Sequence, residues 1–275
     1  MVALTRELHC IRRAILSAAL FASLAPLSAQ WQSYPAAGIP RTKDGKADLS
    51  APTPKDPGGK PDLSGLWLKD RSPWQPPANE AGLSNSMAYY MPPGSEIVMK
   101  PAAAALYKQR YEVQQGAGRP SERCLPHSIP DQMFIPVPLQ FVQTKGLTVM
   151  LWEEFTHYRM IYTDGRPRPV DPNPAWYGYS TGTWDGDTFV VDTRGFNDKS
   201  WLDDGGHPHT GQLHTVEKFR RPDFGHLKTE ITIDDPGAYS KPMTLYVNFS
   251  YLADQSLIED ICENEKDARH QVGKR

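Results

Sequence analysis

The chain has 275 residues, 39% of them hydrophobic and 23% charged, with a formal net charge of −2. This composition excludes a disordered chain, and the scattered Lys and Arg leave no basic footprint for nucleic acid or an anionic membrane. The 26 Pro and 21 Gly cluster on the N-terminal side and between short apolar runs, which favours turns over long helices.

Residues 1–29 have the pattern of a signal peptide. Arg6, Arg12 and Arg13 make a positive n-region, "AILSAALFASLAPL" is the apolar h-region, and "LSA" before Gln30 is a small-residue cleavage site. No later stretch approaches the ~20 apolar residues of a membrane span. The expectation is a periplasmic or secreted protein with no membrane span. Cys10 falls in the signal, leaving Cys124 and Cys262, an even pair in an oxidising compartment. A disulfide would tie the segment before the sheet to its last strand; two buried free thiols are the alternative.

Residues 30–62 are poor in apolar side chains and rich in Pro, Gly and Lys, which predicts an extended, weakly structured arm. The remainder, 63–275, is expected to be a single domain; a mature body of roughly 240 residues buries about 70–75% of its unfolded surface. "LSGLW" is its first core-like fragment. "KPAAAALYKQRYEVQQG" predicts a helix over about 101–115, with Pro101 near the start and Gly116 as the stop. "RCLPHSIPDQMFIPVPLQ" is broken by prolines and must be irregular.

From about 140 to 265 the texture changes to β-rich runs around short turns. Lys145-Gly146, Asp164-Gly165, Asp185-Gly186, "PDFG" and Asp254-Gln255 punctuate them. Phe189, Val191 and Thr193 alternate with Val190 and Asp192, as in a strand with one buried face. Eight or nine antiparallel strands joined by hairpins predict a mainly β fold, an up-and-down barrel that removes its own edges. A two-sheet β-sandwich is the alternative.

The run "HYRMIYTDGR", then "GYSTGTWDGDTFVVDTRGFNDKSWLDDGGHPHT", "LHTVEKFRRPDFGHL" and "TIDDP", resembles a family of exported bacterial proteins marked by a W-x-G-D-T-x-V-V-D-T-x-G-F-N-D motif. The likeness extends from about Cys124 to His270 and includes "CLP" at Cys124 and "CENE" at Cys262. The resemblance implies export and a lipocalin-like barrel at the level of fold, and it supports the disulfide. The family carries no settled activity, so no reaction follows from it.

Two clusters point to chemistry. "GGHPHTGQLHTVEKF" holds His207, His209 and His214, with Glu217 three residues on. An H-x-H pair suits a transition metal such as zinc, with His207, His209 and His214 as candidate ligands. The other reading is a histidine base, His209, oriented by Glu217. In a regular strand Glu217 faces away from His214, so local geometry alone cannot converge all four. A polar loop, with Glu217 paired to Arg220 or Arg221, explains the same residues without function. In "WEEFTHYRMIYTDGR", Glu153, His157 and Arg159 share a parity if the strand runs on. Such groups on an inner wall are costly unless paired or in use. His157 is then a base and Arg159 an electrostatic partner, with Tyr158, Met160 and Tyr162 on the packed side. A solvated outer face is the alternative.

Asp185, Asp187 and Asp192 lack an EF-hand pattern, and a hairpin explains Asp185-Gly186. "GFNDKSWLDDGG" is a candidate lid over a barrel mouth. Glu153, Tyr158, Trp176, Trp184, Trp201 and His214 are candidate substrate contacts, with core packing an equal account of each Trp. There is no P-loop, Rossmann fingerprint, H-E-x-x-H or C-x-x-C. The expectation is a hydrolase or lyase acting on a small sugar-derived or aromatic molecule through His157, Arg159, His209 and Glu217. A non-catalytic lipocalin-like binding protein is the alternative, and a structural module docking its Pro-rich arm on a partner is a third.

Overall fold

The alternating runs beyond residue 139 form eight strands, and "GLWLK" supplies the ninth that closes them into a barrel. In the computed structural model, residues 35–74, 85–113 and 118–262 are described. The chain divides into Met1–Pro35 and Ala36–Arg275; the predicted signal segment lies outside the described residues. The strands are β1 (Gly65–Lys69), β2 (Leu139–Thr144), β3 (Leu147–Trp152), β4 (Tyr158–Tyr162), β5 (Tyr179–Asp185), β6 (Thr188–Arg194), β7 (His214–Arg220), β8 (His226–Asp234) and β9 (Met243–Tyr251).

Each strand pairs with its neighbours in sequence, and β1 joins β2 to β9. Antiparallel pairing reverses direction at every step, so nine strands cannot close on antiparallel pairs alone. One pair must be parallel, and it is β4–β5, with Ile161 beside Ser180 and Tyr162 beside Thr181. The purely antiparallel barrel expected from the hairpins is corrected here. The Asp164-Gly165 turn does not make a hairpin, because residues 163–178 run back along the barrel to start β5 in the same direction as β4.

Trp67, Phe141, Met150, Phe189, Val191, Phe219, Ile231, Leu245 and Val247 point inward and pack as one buried cluster. The interior is filled by side chains. Gly182 belongs to this packing: a Cβ there would sit 2.5 Å from Phe189 Cζ.

The two ends of the barrel differ. At one end are the tight turns after β2, β5 and β7. Here the segment 36–62, expected to be loose, is hydrogen-bonded in place. The Phe224 and Gly225 amides donate to the Ala51 and Leu49 carbonyls, each at 2.8 Å, and Arg41 pairs with Asp254. Arg221 lies over the rings of Trp67, Phe224 and Tyr251. The predicted arm fails as a loose segment because its backbone finds partners on the hairpin turns.

At the other end the long connections form a cap. They include α1 (Pro101–Lys108), which continues as a π-helical turn over Gln109–Val113, and the loop between β6 and β7. That loop is buried from Ser200 to His209, which is unusual for a connection. Cys124 in the cap is disulfide-bonded to Cys262, with a Cα–Cα distance of 5.6 Å. Residues 256–261 form no strand, so the bridge holds the cap to an irregular segment beyond β9. No helix among the described residues is long and apolar enough to cross a membrane.

Candidate functional site

The capped end gathers the polar residues. Arg159 on β4 and Glu217 on β7 both point into the barrel, and both are buried. Arg159 Nη1 donates to Glu217 Oε1 at 3.0 Å, and Nη2 donates to Oε2 of the same carboxylate. Arg159 Nε donates to Ser180 Oγ at 3.0 Å, and Nη2 also donates to Thr193 Oγ1 at 2.7 Å. A bidentate pair with its remaining donors satisfied is the arrangement in which a buried ion pair is tolerated.

A second network lies in the cap. His127 Nδ1 donates to Asp131 Oδ2 at 2.6 Å, and its Nε2 lies 3.2 Å from Glu154 Oε1. Gln132 Nε2 donates to Glu154 Oε2, and Tyr177 donates to Gln132 Oε1 at 2.9 Å. Burial opposes charge on His127, but the Asp131 and Glu154 carboxylates outweigh it and raise its pKa. Burial, with Asp204 and Asp203 nearby, raises Asp131 against the pull of His127. Burial also works against ionised Glu154, yet the contacts with His127 and Gln132 hold it below its ordinary value. Asp131 Oδ1 is buried with no hydrogen-bond partner among the described residues.

Between the two networks sits the β3–β4 turn. A continuous strand would place Glu153, His157 and Arg159 on one face. Instead the chain leaves β3 after Trp152 and turns through Phe155 (φ 56°) and Thr156 (φ 53°). Left-handed backbone at two non-glycine residues costs roughly 1–3 kcal/mol each and is concentrated in proteins at working sites. The turn sends the three side chains apart. Glu153 accepts from the Ile258 amide, Arg159 enters the barrel, and His157 packs edge-on against Tyr177. Burial lowers the His157 pKa, assisted by the His127 charge and opposed by Glu154. Its Nδ1 is buried without a partner among the described residues.

His157 lines a pocket of about 370 Å³ along the parallel β4–β5 seam, with Arg159, Tyr158, Trp176, Tyr177 and Tyr179 among its walls. Tyr177 stacks on Trp152, with ring centroids 5.2 Å apart. Its phenol is raised well above the ordinary value by burial and by Glu154, with Arg159 opposing. Tyr158 and Met160, expected on the packed side, are exposed at 60% and 43%; it is Arg159 and Ile161 that face the core.

The three candidate metal-ligand histidines do not come together. His207 Nδ1 contacts Asp203 Oδ2 at 2.7 Å and its ring stacks on Tyr107. His209 Nε2 meets Ser200 Oγ at 2.7 Å and Nδ1 donates to the Thr210 carbonyl. His214 pairs with Asp192 on the outer face of the barrel. Alternation along β7 separates His214 from the cap loop that carries the other two. Glu217 orients Arg159, not a histidine. Of the tryptophans, Trp176 lines the pocket. Trp184 packs on Phe189 near the hairpin end, and Trp201 is buried under the Arg110 guanidinium. Among the described residues, the group compatible with a metal is His127, Asp131 and Asp204. The signal for it was the H-x-x-x-D spacing inside "PHSIPDQ", hidden in a segment expected only to be irregular. Comparisons with protein-family models, curated proteins and solved structures find no match to this chain.

Proposed function

We propose that this protein is an exported enzyme that performs acid–base chemistry, hydrolysis or elimination, on a small sugar-derived or aromatic molecule bound at the β4–β5 seam. One observation carries the reading: His157, an imidazole held neutral by burial, sits on a strained turn at the wall of an aromatic-lined pocket. A neutral imidazole near its working pH is the most common general base. Arg159, locked by Glu217, Ser180 and Thr193, places a fixed positive charge beside the pocket where developing negative charge gains most. Tyr177, kept protonated and donating to Gln132, is a fixed aromatic wall of the same pocket. The Cys124–Cys262 disulfide is compatible with export.

A non-catalytic binding protein is the second reading. It is favoured by the aromatic lining and by the full internal pairing of Arg159. The test is a panel of aryl and sugar-derived small molecules, with binding followed by tryptophan fluorescence and products by mass spectrometry. His157→Gln is expected to keep binding and to lose about 10²–10⁴-fold in turnover. Turnover that survives in His157→Gln refutes the proposed base. Binding without product in either protein selects the binding-protein reading.

A further inference from the structure

We propose that His127, Asp131 and Asp204 form a site for one divalent transition-metal ion of the zinc or manganese class. The three are buried, and each offers a ligand atom within 4.8 Å of the others. Donor atoms sharing an ion at about 2.0–2.2 Å lie roughly 3 Å apart, so small side-chain movements suffice to admit one. One imidazole nitrogen with two carboxylate oxygens matches ions of intermediate hardness; a thiolate set or an all-oxygen cage would point elsewhere.

The observation that separates this cluster from an ordinary buried polar network is Asp131 Oδ1. It is a carboxylate oxygen on a side chain 4% exposed, with no hydrogen-bond partner among the described residues. Buried carboxylate oxygens are paired or ligate metals. The outer partners are in place. Asn85 Nδ2 donates to Asp204 Oδ2 at 3.0 Å, and Arg119 Nη1 lies 3.1 Å from Asp204 Oδ1. Glu154, on the far side of His127, is itself held by Gln132. Such contacts orient ligands and set their basicity. The bond between His127 Nδ1 and Asp131 occupies the place of the ion: binding releases that proton to solvent and leaves a neutral imidazole. Asp204, at 9% exposure, is the least buried of the three.

The site does not depend on the proposed reaction, because metal uptake is read without any substrate. The full chain, without a histidine tag, is stripped with chelator and titrated with ZnCl₂ or MnCl₂ by calorimetry, with native mass spectrometry for stoichiometry. One ion per chain is expected, with proton release and a higher melting temperature. Asp131→Asn and Asp204→Asn should each weaken binding by more than the roughly 10–100-fold that loss of an outer partner costs. His214→Ala, on the outer face, should leave binding unchanged. If Asp131→Asn melts without cooperativity, the less buried Asp204→Asn decides alone. The proposal is overturned if the wild-type chain takes up neither ion at sub-millimolar concentration, or if Asp204→Asn binds as tightly as the wild type.

Discussion

Arg159 and Glu217 stand 58 residues apart in the chain and meet head-on inside the barrel, both of them buried. Neither faces its neighbour across a strand pair. Glu217 lies beside Val191 and Ile231 in register, and Arg159 beside Met150. The guanidinium reaches past β5 and β6, taking a hydrogen bond partner from each, to close on a carboxylate of β7.

This geometry predicts an asymmetry. Glu217→Leu leaves a buried guanidinium unpaired and should cost about 3–5 kcal/mol in urea-induced unfolding. The double variant Arg159→Met/Glu217→Leu should recover most of that loss, because Ser180 and Thr193 still bond to each other at 3.0 Å. Equal losses in the single and double variants would mean that the pair stabilises the fold outright.

The disulfide closes a loop of large sequence separation, 138 residues. The chain-entropy account assigns removal of such a bridge about 2–5 kcal/mol. Cys124→Ser/Cys262→Ser should therefore unfold at clearly lower denaturant, and reducing agent should mimic it in the wild-type protein. An unchanged midpoint would show that the cap is held by its packing alone.

Stability should fall on mild acidification through His209. Burial lowers its pKa, and its neutral form is fixed between Ser200 and Thr210. The unfolded chain therefore takes up the proton first. The contribution is complete above the unfolded value of about 6.5 and is lost as pH drops from there toward the lower folded value. His209→Gln should flatten this slope in melting curves recorded across that window. A slope identical to wild type would assign the acid sensitivity to other groups.

Gly182 should not tolerate a methyl group. Added Cβ atoms there meet Phe189 Cζ at 2.5 Å and Ile161 Cγ2 at 2.9 Å. Gly182→Ala is expected to destabilise by about 1–3 kcal/mol from overpacking, against the usual small gain of such a change in a strand. Gly186→Ala, which has open space but a φ of 58°, tests backbone strain without any clash. Comparable thermal shifts in the two variants would argue against a packing cause at Gly182.

The β content, the barrel and the helix near Pro101 were legible because they depend on local periods and turn residues: the alternation of Phe189, Val191 and Thr193, the Asp185-Gly186 turn, and Pro101 opening an alanine run. The pairing of Cys124 with Cys262 was legible from their number and the expected compartment. Arg159 stood out as a costly inner-wall charge and Glu217 as a carboxylate that could orient a histidine, but their pairing with each other was not visible, since it spans three strand boundaries.

Tertiary structure alone decided the rest. Closure with an odd strand forced one parallel seam at β4–β5, and that seam is where the pocket lies. The Phe155-Thr156 turn broke the parity that seemed to unite Glu153, His157 and Arg159. The loop carrying His207 and His209 was drawn into the cap, away from His214, while His127 and Asp131 met Asp204 from across the chain. Alternation and turn chemistry are written over a few residues, and so the sequence carries them. Which charges share one buried volume depends on strand register, closure and cap packing, which involve residues tens of positions apart and leave no local trace.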